Sequence, residues 1–343
     1  MTRRNTDAIS TMNIVARTEK MIAWACWKTG VTGALLFINR VTGRTPVVMY
    51  HSITPKPETG KKVPMVWQTG MALAPSTFDE QIKYFSNNYE CVSLQEYIRL
   101  REKIAKDKRN LLVITFDDGY VDNYTTATPI LKRYNAKATF FLVGCHLENE
   151  RPAPIFLLNI LYDHSNSEDP GVIGYEKRKQ ILWSGLDALE ESENLSSQEL
   201  SKLDWQRFFI SRSQATHLEE DGFEIGSHGY YHLIPSALDR KDFREDIDKS
   251  KRVLCEFFHE PQPGFAFPFG MASVVYDQHL QEVSDCGFLY GVTTIEGLNT
   301  GKTNAFKLRR IAMDEVPLYV TLFRLTGLRS VFKRLFQQIK HKL

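Results

Sequence analysis

The chain has little of several things that would fix its class at once. Its five cysteines, Cys26, Cys91, Cys145, Cys255 and Cys286, are dispersed, with no Cys-x-x-Cys pair among them. That excludes a zinc ribbon or a thioredoxin-like motif, and an odd, scattered set fits a reducing compartment better than a disulfide framework. Neither sign of charge predominates: a net charge of +2 gives no general pull toward nucleic acid, and nucleic acid is not expected as a partner. No internal repeat or low-complexity tract is present. Nor does the N-terminus offer a spanning helix of about twenty uninterrupted apolar residues. Its most apolar stretch, Met21 to Ile38, carries Lys28, Thr29 and Gly30 in its middle and has no clean signal-peptide cleavage site. An interfacial or packed amphipathic segment over residues 1–45 is expected instead, in a protein of the cytoplasm or peripheral on the inner membrane.

What is there is a globular composition, 43% apolar and 24% charged over 343 residues, enough for one large α/β domain with additions. The most informative segment is Leu111-Leu112-Val113-Ile114-Thr115-Phe116-Asp117-Asp118-Gly119, an apolar run that reads as a buried strand ending in two adjacent carboxylates. A cation held by Asp118 would relieve the repulsion between the two acids and leave Asp117 as a base. An isolated Asp-Asp-Gly would more simply be a turn with a solvated acid. Here a second apolar strand, Phe223-Glu224-Ile225-Gly226, leads to His228 and His232. Two imidazoles and one carboxylate form a metal site with open positions, suited first to zinc. Helical spacing, or a strand end running into a helix start, would bring both rings to one face.

With these residues the chain resembles the polysaccharide deacetylases of the NodB-homology type, from about Pro46 to Met313. Thr115-Phe116-Asp117-Asp118-Gly119 matches the first family motif, which implies Asp117 as catalytic base and Asp118 as metal ligand. Ser227-His228 to His232 matches the second and implies His228 and His232 as the other ligands, with zinc, cobalt, nickel or manganese as the ion. Gly264-Phe265-Ala266-Phe267-Pro268-Phe269-Gly270 is similar to a variant third motif, which implies that the Phe269 amide helps hold an oxyanion. The chain departs from the pattern in four respects. Gly229 and Leu233 replace the residues that commonly follow the two histidines. Ala266 stands where better-known members carry an arginine that orients the base, and Arg310, in Leu308-Arg309-Arg310-Ile311, is the candidate replacement, the alternative being a solvated strand-edge arginine. No late Leu-His motif supplies a general acid. His51, at the end of the strand Pro46-Val47-Val48-Met49-Tyr50, is the candidate substitute, in a permuted arrangement where the first strand takes the place of the usual last one; a packing histidine is the alternative.

The resemblance implies a distorted, incomplete (β/α) barrel over residues 46–315 and a metal-dependent hydrolase that removes an N-acetyl group from an amino sugar of a polysaccharide or a lipid-linked precursor. Removal of formyl or O-acetyl from a lipid-linked sugar, and a non-catalytic carbohydrate-binding protein, are the competing readings; a retained Asp117 argues against the last. Residues of about 145–214 exceed what a compact core needs between its first two motifs. Their apolar patch, Ile155 to Tyr162, and the charged stretch Asp187 to Glu193 predict a helical insertion over the barrel mouth. Asp163 and His164 inside it read as ordinary surface. Residues 316–343 form a basic amphipathic pattern, which predicts a helix that either lies on an anionic membrane surface or packs on the barrel.

Overall fold

The computed structural model describes residues 16–58, 64–148, 152–164, 180–196, 205–259 and 263–331. Ten strands are found among them: β1 (Val47–Tyr50), β2 (Ser52–Ile53), β3 (Ala72–Leu73), β4 (Glu90–Val92), β5 (Leu111–Phe116), β6 (Thr139–Leu142), β7 (Glu224–Ser227), β8 (Phe265–Ala266), β9 (Gly291–Glu296) and β10 (Leu308–Ala312). All strand pairings in the main sheet are parallel, and β1 pairs with both β10 and β5. The ring β1-β10-β9-β8-β7-β6-β5 therefore closes into a barrel, with β4 lying along the first half of β5. The expected (β/α) barrel is what the chain forms, and β1 sits between the first-motif strand and the last strand.

Parallel strands covered on both faces must be apolar throughout, and every residue of β1, β5 and β6 is buried. Tyr50, Phe116 and Phe140 stand in register on neighbouring strands and stack, Phe116 on Phe140 at 4.8 Å and Tyr50 on Phe116 at 5.5 Å. They pack with Phe78, Ile82 and Phe85 of the helix Pro75–Asn88. Because side chains alternate along a strand, Thr115 and then Asp117 face the opposite side, into the barrel.

The connection between β6 and β7 is helical where described, with Pro154–His164 and Asp187–Ser196 as its longest helices. At the N-terminus the expected single amphipathic segment is two helices, Ala16–Lys28 and Val31–Val41, bent by 81° at Thr29-Gly30. Gly30 adopts φ +77°, a conformation that ends the first helix and redirects the second. No single helix among the described residues is long and apolar enough to cross a membrane. The tail begins with a helix, Leu318–Leu325, that is buried along most of its length, including Arg324, and stops before Gly327. Arg324 binds Glu19 and Asp314, which ties the first helix to the tail. Residues 332–343, the rest of the basic pattern, lie outside the described residues.

Candidate active site

The site lies where β5 and β7 end. Asp117 still belongs to the sheet, its N–H donating to the Tyr50 carbonyl at 3.0 Å. Asp118 then turns to φ +74° and Gly119 to φ +69°, two left-handed residues in succession that lift the chain off the strand. A Cβ at position 119 would sit 3.0 Å from a Leu142 methyl, so crowding adds to the left-handed conformation in favouring glycine there. The second strand delivers His228, whose N–H donates to the Leu142 carbonyl at 2.8 Å. His232 follows in a loop with φ +54°, not in a helix as the spacing suggested. The loop is shaped by Asp246, on the helix Arg240–Phe257, which accepts the N–H groups of Tyr230 and Tyr231, both at 3.0 Å. Gly229, one of the departures noted above, adopts φ +75° and lies so close to the Asp246 carboxylate that a Cβ would sit 3.0 Å from it.

Asp118, His228 and His232 converge. Their ligand atoms lie within 4.8 Å of one another, and Asp118 Oδ1 is 3.3 Å from Nε2 of both imidazoles. His228 is oriented by Nδ1, 2.8 Å from the carbonyl of Ala266, so the residue that replaces the family arginine holds a ligand through its backbone. Asp118 Oδ2 is buried with no hydrogen-bond partner among the described residues. An unpaired buried carboxylate oxygen beside two converging imidazole nitrogens is the donor set of a divalent cation, and these residues fit one. The side chains of Asp163 and His164 lie outside the described residues.

Asp117 lies alongside, with Oδ2 3.9 Å from His228 Nε2. Arg310, fully buried on β10, grips it with both arms of the guanidinium, at 2.6 and 2.7 Å. The same guanidinium donates to the Thr293 carbonyl at 2.9 Å and to Thr115 Oγ1 at 3.3 Å. Of the two expectations for Arg310, an orienting cation and a solvated edge residue, the structure has the first geometry. Burial pushes Asp117 toward its neutral form, but Arg310 first, then His228, more than offset this and hold the carboxyl below its usual range. Asp118 is likewise raised by burial and carried well below its usual range by hydrogen bonds from His228 and His232. Both acids are therefore ionised at neutral pH.

His51 is half-buried at the end of β1, and its charge acts on both Asp117 and Asp118. Its carbonyl is held by Asn123 Nδ2 at 2.6 Å, which fixes the backbone behind the ring. Phe269 adopts φ +60°, a conformation that costs a bulky residue roughly 1–3 kcal/mol and is usually stored at functional sites. Its carbonyl accepts from Thr294 Oγ1 at 2.8 Å, while its N–H donates to no group among the described residues. The ring rests 5.3 Å from that of His232.

Sequence reasoning missed two further residues. His146, just after β6, stacks on Phe209 at 3.9 Å and accepts the Ala153 N–H at 3.1 Å through Nε2; burial, with His232 adding to it, holds it down to about 3. Nothing local in the sequence marks it. Asp246, pushed up by burial to about 6 despite its two backbone donors, shares the buried stripe of its helix with Phe243, Ile247 and Ser250. A carboxylate on an apolar stripe was the available signal. Phe156 of the insertion closes the arrangement, its ring 5.1 Å from His232.

Comparison with known proteins agrees with this geometry. The sequence profile of the polysaccharide deacetylase family matches residues 105–291, more than half of the chain. YxkH of Bacillus subtilis, a protein named for the same family, is 22% identical over 272 residues, covering 79% of this chain and 72% of its own. The poly-β-1,6-N-acetyl-D-glucosamine N-deacetylase of Staphylococcus aureus is 24% identical over 249 residues, covering 71% and 68%. Among solved structures, the Streptococcus pyogenes deacetylase PplD shares the fold with a TM-score of 0.57 at 19% identity, over 83% of this chain and 98% of its own. Barrel, motif order and sequence profile agree, and the chain belongs to the polysaccharide deacetylase family.

Proposed function

We propose that the protein hydrolyses the N-acetyl group of an amino sugar in a polysaccharide or a lipid-linked glycan precursor, with a divalent cation, zinc first, held by Asp118, His228 and His232. The observation that carries this reading is the Arg310-clamped Asp117 beside the three convergent ligands. A carbohydrate-binding site needs no ionised, oriented proton acceptor there, whereas amide hydrolysis does. Bound at that cluster, the cation would supply Lewis acidity toward a water and the acyl oxygen.

The remaining chemistry falls to side chains and backbone of this chain. Asp117 takes the proton of the attacking water, and Arg310 keeps its carboxylate ionised and correctly turned. The Phe269 N–H, with no acceptor among the described residues, donates to the acyl oxygen as negative charge collects there; one such donor is worth about 3 kcal/mol of barrier. His51 gives a proton to the departing nitrogen, which is too basic to leave as an anion. The rings of Phe156 and Phe269, 5.1 and 5.3 Å from that of His232, bring apolar surface to the site.

The test is a pair of substitutions. Asp117→Asn should abolish acetate release while metal content stays, and His228→Ala should lose both. Purified variants that keep turnover would refute these roles. A panel of soluble oligosaccharides and lipid-linked sugars carrying acetyl or formyl groups identifies the substrate by which acid appears.

A further inference from the structure

Exposed apolar residues are not spread evenly over this molecule. Of twelve large hydrophobic side chains exposed among the described residues, seven belong to the two N-terminal helices: Met21, Trp24, Trp27, Val31, Phe37, Ile38 and Val41. Two of the most open are Met21, 72% exposed, and Phe37, 63% exposed. The opposite face of the pair is engaged. Ala23 packs with Val320 and Phe323, Asn39 donates to the Leu325 and Thr326 carbonyls, and Glu19 is taken by Arg324 and Arg329. The helices are thus fixed to the barrel on one side, with the Trp27 ring at its margin 6.2 Å from that of Tyr319, and largely uncovered on the other.

The charges beside the bare side have one sign. Arg17, Lys20, Lys28, Arg40 and Arg44 are all exposed, and the only acidic residue from 16 to 45, Glu19, faces inward in its ion pairs. A second copy of this chain is a poor occupant, since pairing identical faces would bring five cations against five. The 81° bend keeps the pair from forming one straight span, and Lys28 sits at the corner, 4.9 Å over the Trp27 ring. Aromatic residues with flanking cations, on helices too short to cross, are the composition of an interfacial anchor.

We infer that this face docks on a bilayer containing anionic phospholipid, with Met21, Trp24, Trp27, Phe37 and Ile38 entering the acyl boundary and the flanking Arg and Lys residues meeting lipid phosphates. The docking is independent of the hydrolysis proposed above. It places the barrel at a surface where membrane-borne glycans are made or modified.

The test is flotation of the full chain with phosphatidylcholine vesicles with or without phosphatidylglycerol, alongside tryptophan emission. Binding should be about tenfold stronger on the anionic vesicles and weaken at high salt, with a blue shift in emission. Trp24→Ser with Phe37→Ser should abolish flotation while thermal midpoint and acetate release from a soluble oligosaccharide remain unchanged. Lys28→Glu with Arg40→Glu, both on the surface, should remove the preference for anionic lipid. Absence of flotation on anionic vesicles, flotation unaffected by either variant, or a dimer in solution that the Trp24 and Phe37 variant dissolves without any lipid binding would each overturn the inference. Loss of soluble-substrate turnover in the unmodified protein would bear on the hydrolase reading alone.

Discussion

Replacing Arg310 with methionine leaves Asp117 as a buried carboxylate without its cation. Arg310 has no exposed surface in its side chain, and Asp117 has 2%. Neither group can turn to water. Removing one partner of such a pair typically costs about 3–5 kcal/mol, because the remaining charge keeps its desolvation penalty and loses its compensation. For 343 residues the unfolding entropy is about 0.7 kcal/mol per kelvin, so the melting temperature should fall by roughly 4–7 °C. Turnover should fall as well, since the carboxyl drifts toward its neutral, non-basic form. The decisive comparison is the double variant Arg310→Met with Asp117→Asn. Both charges are then gone, and most of the lost stability should return while activity stays absent. Thermal unfolding and acetate release separate the two effects. An Arg310→Met protein with unchanged melting temperature and turnover, or a double variant no more stable than the single one, would refute the account of Asp117 as an arginine-clamped base.

Other perturbations test neighbouring parts. His51→Ala should lower hydrolysis of an N-acetyl substrate by about 10²–10⁴, yet leave metal content and hydrolysis of an activated aryl acetate largely intact, because that leaving group needs no proton. Equal losses on both substrates would deny His51 the role of acid. Asp246→Ala should loosen the loop between the two histidines and weaken metal affinity by about tenfold, read by competition with a chelator. The pH dependence of stability in metal-free protein carries two opposing contributions. His146 is held down to about 3 from an ordinary 6.5, so its contribution is complete above the ordinary value and is lost as pH falls toward 3. Asp246 is raised from 3.8 to about 6, so its contribution is complete below the lower value and is lost as pH rises through the upper one. Asp246→Asn removes the second, and its unfolding free energy should then climb more steeply with pH across this window than that of the parent protein, by up to about 1.4 kcal/mol per pH unit. A flatter curve would contradict the burial argument for Asp246.

Legibility in the sequence followed physical locality. β1 and β5 could be read because parallel strands inside a barrel are apolar on both faces, and the acids and histidines stand at the ends of such runs. The barrel closure through β1 was legible only as an expected permutation, since pairing of Val47 with Val113 leaves no local trace. Arg310 could be located by its segment, but its partner is 193 residues away, and nothing near it distinguishes a clamp from a surface arginine. The helical reading of His228 to His232 failed because spacing alone does not reveal a loop held by a distant acid, Asp246. Left-handed backbone at Asp118, His232 and Phe269 was equally invisible, since none of the three is glycine. The N-terminal break was foreshadowed by Lys28, Thr29 and Gly30, although the sequence did not say that both helices would leave their apolar sides uncovered.

The most direct measurement of the central claim is acetate released from an oligomer of N-acetylglucosamine by protein stripped of metal and then reloaded with zinc, in the parent chain and in Asp117→Asn. Release should disappear on stripping, return on reloading in the parent chain, and never return in the variant even though it binds the ion. Equal release by the two reloaded proteins, or none by either on any acylated amino sugar, would contradict that claim.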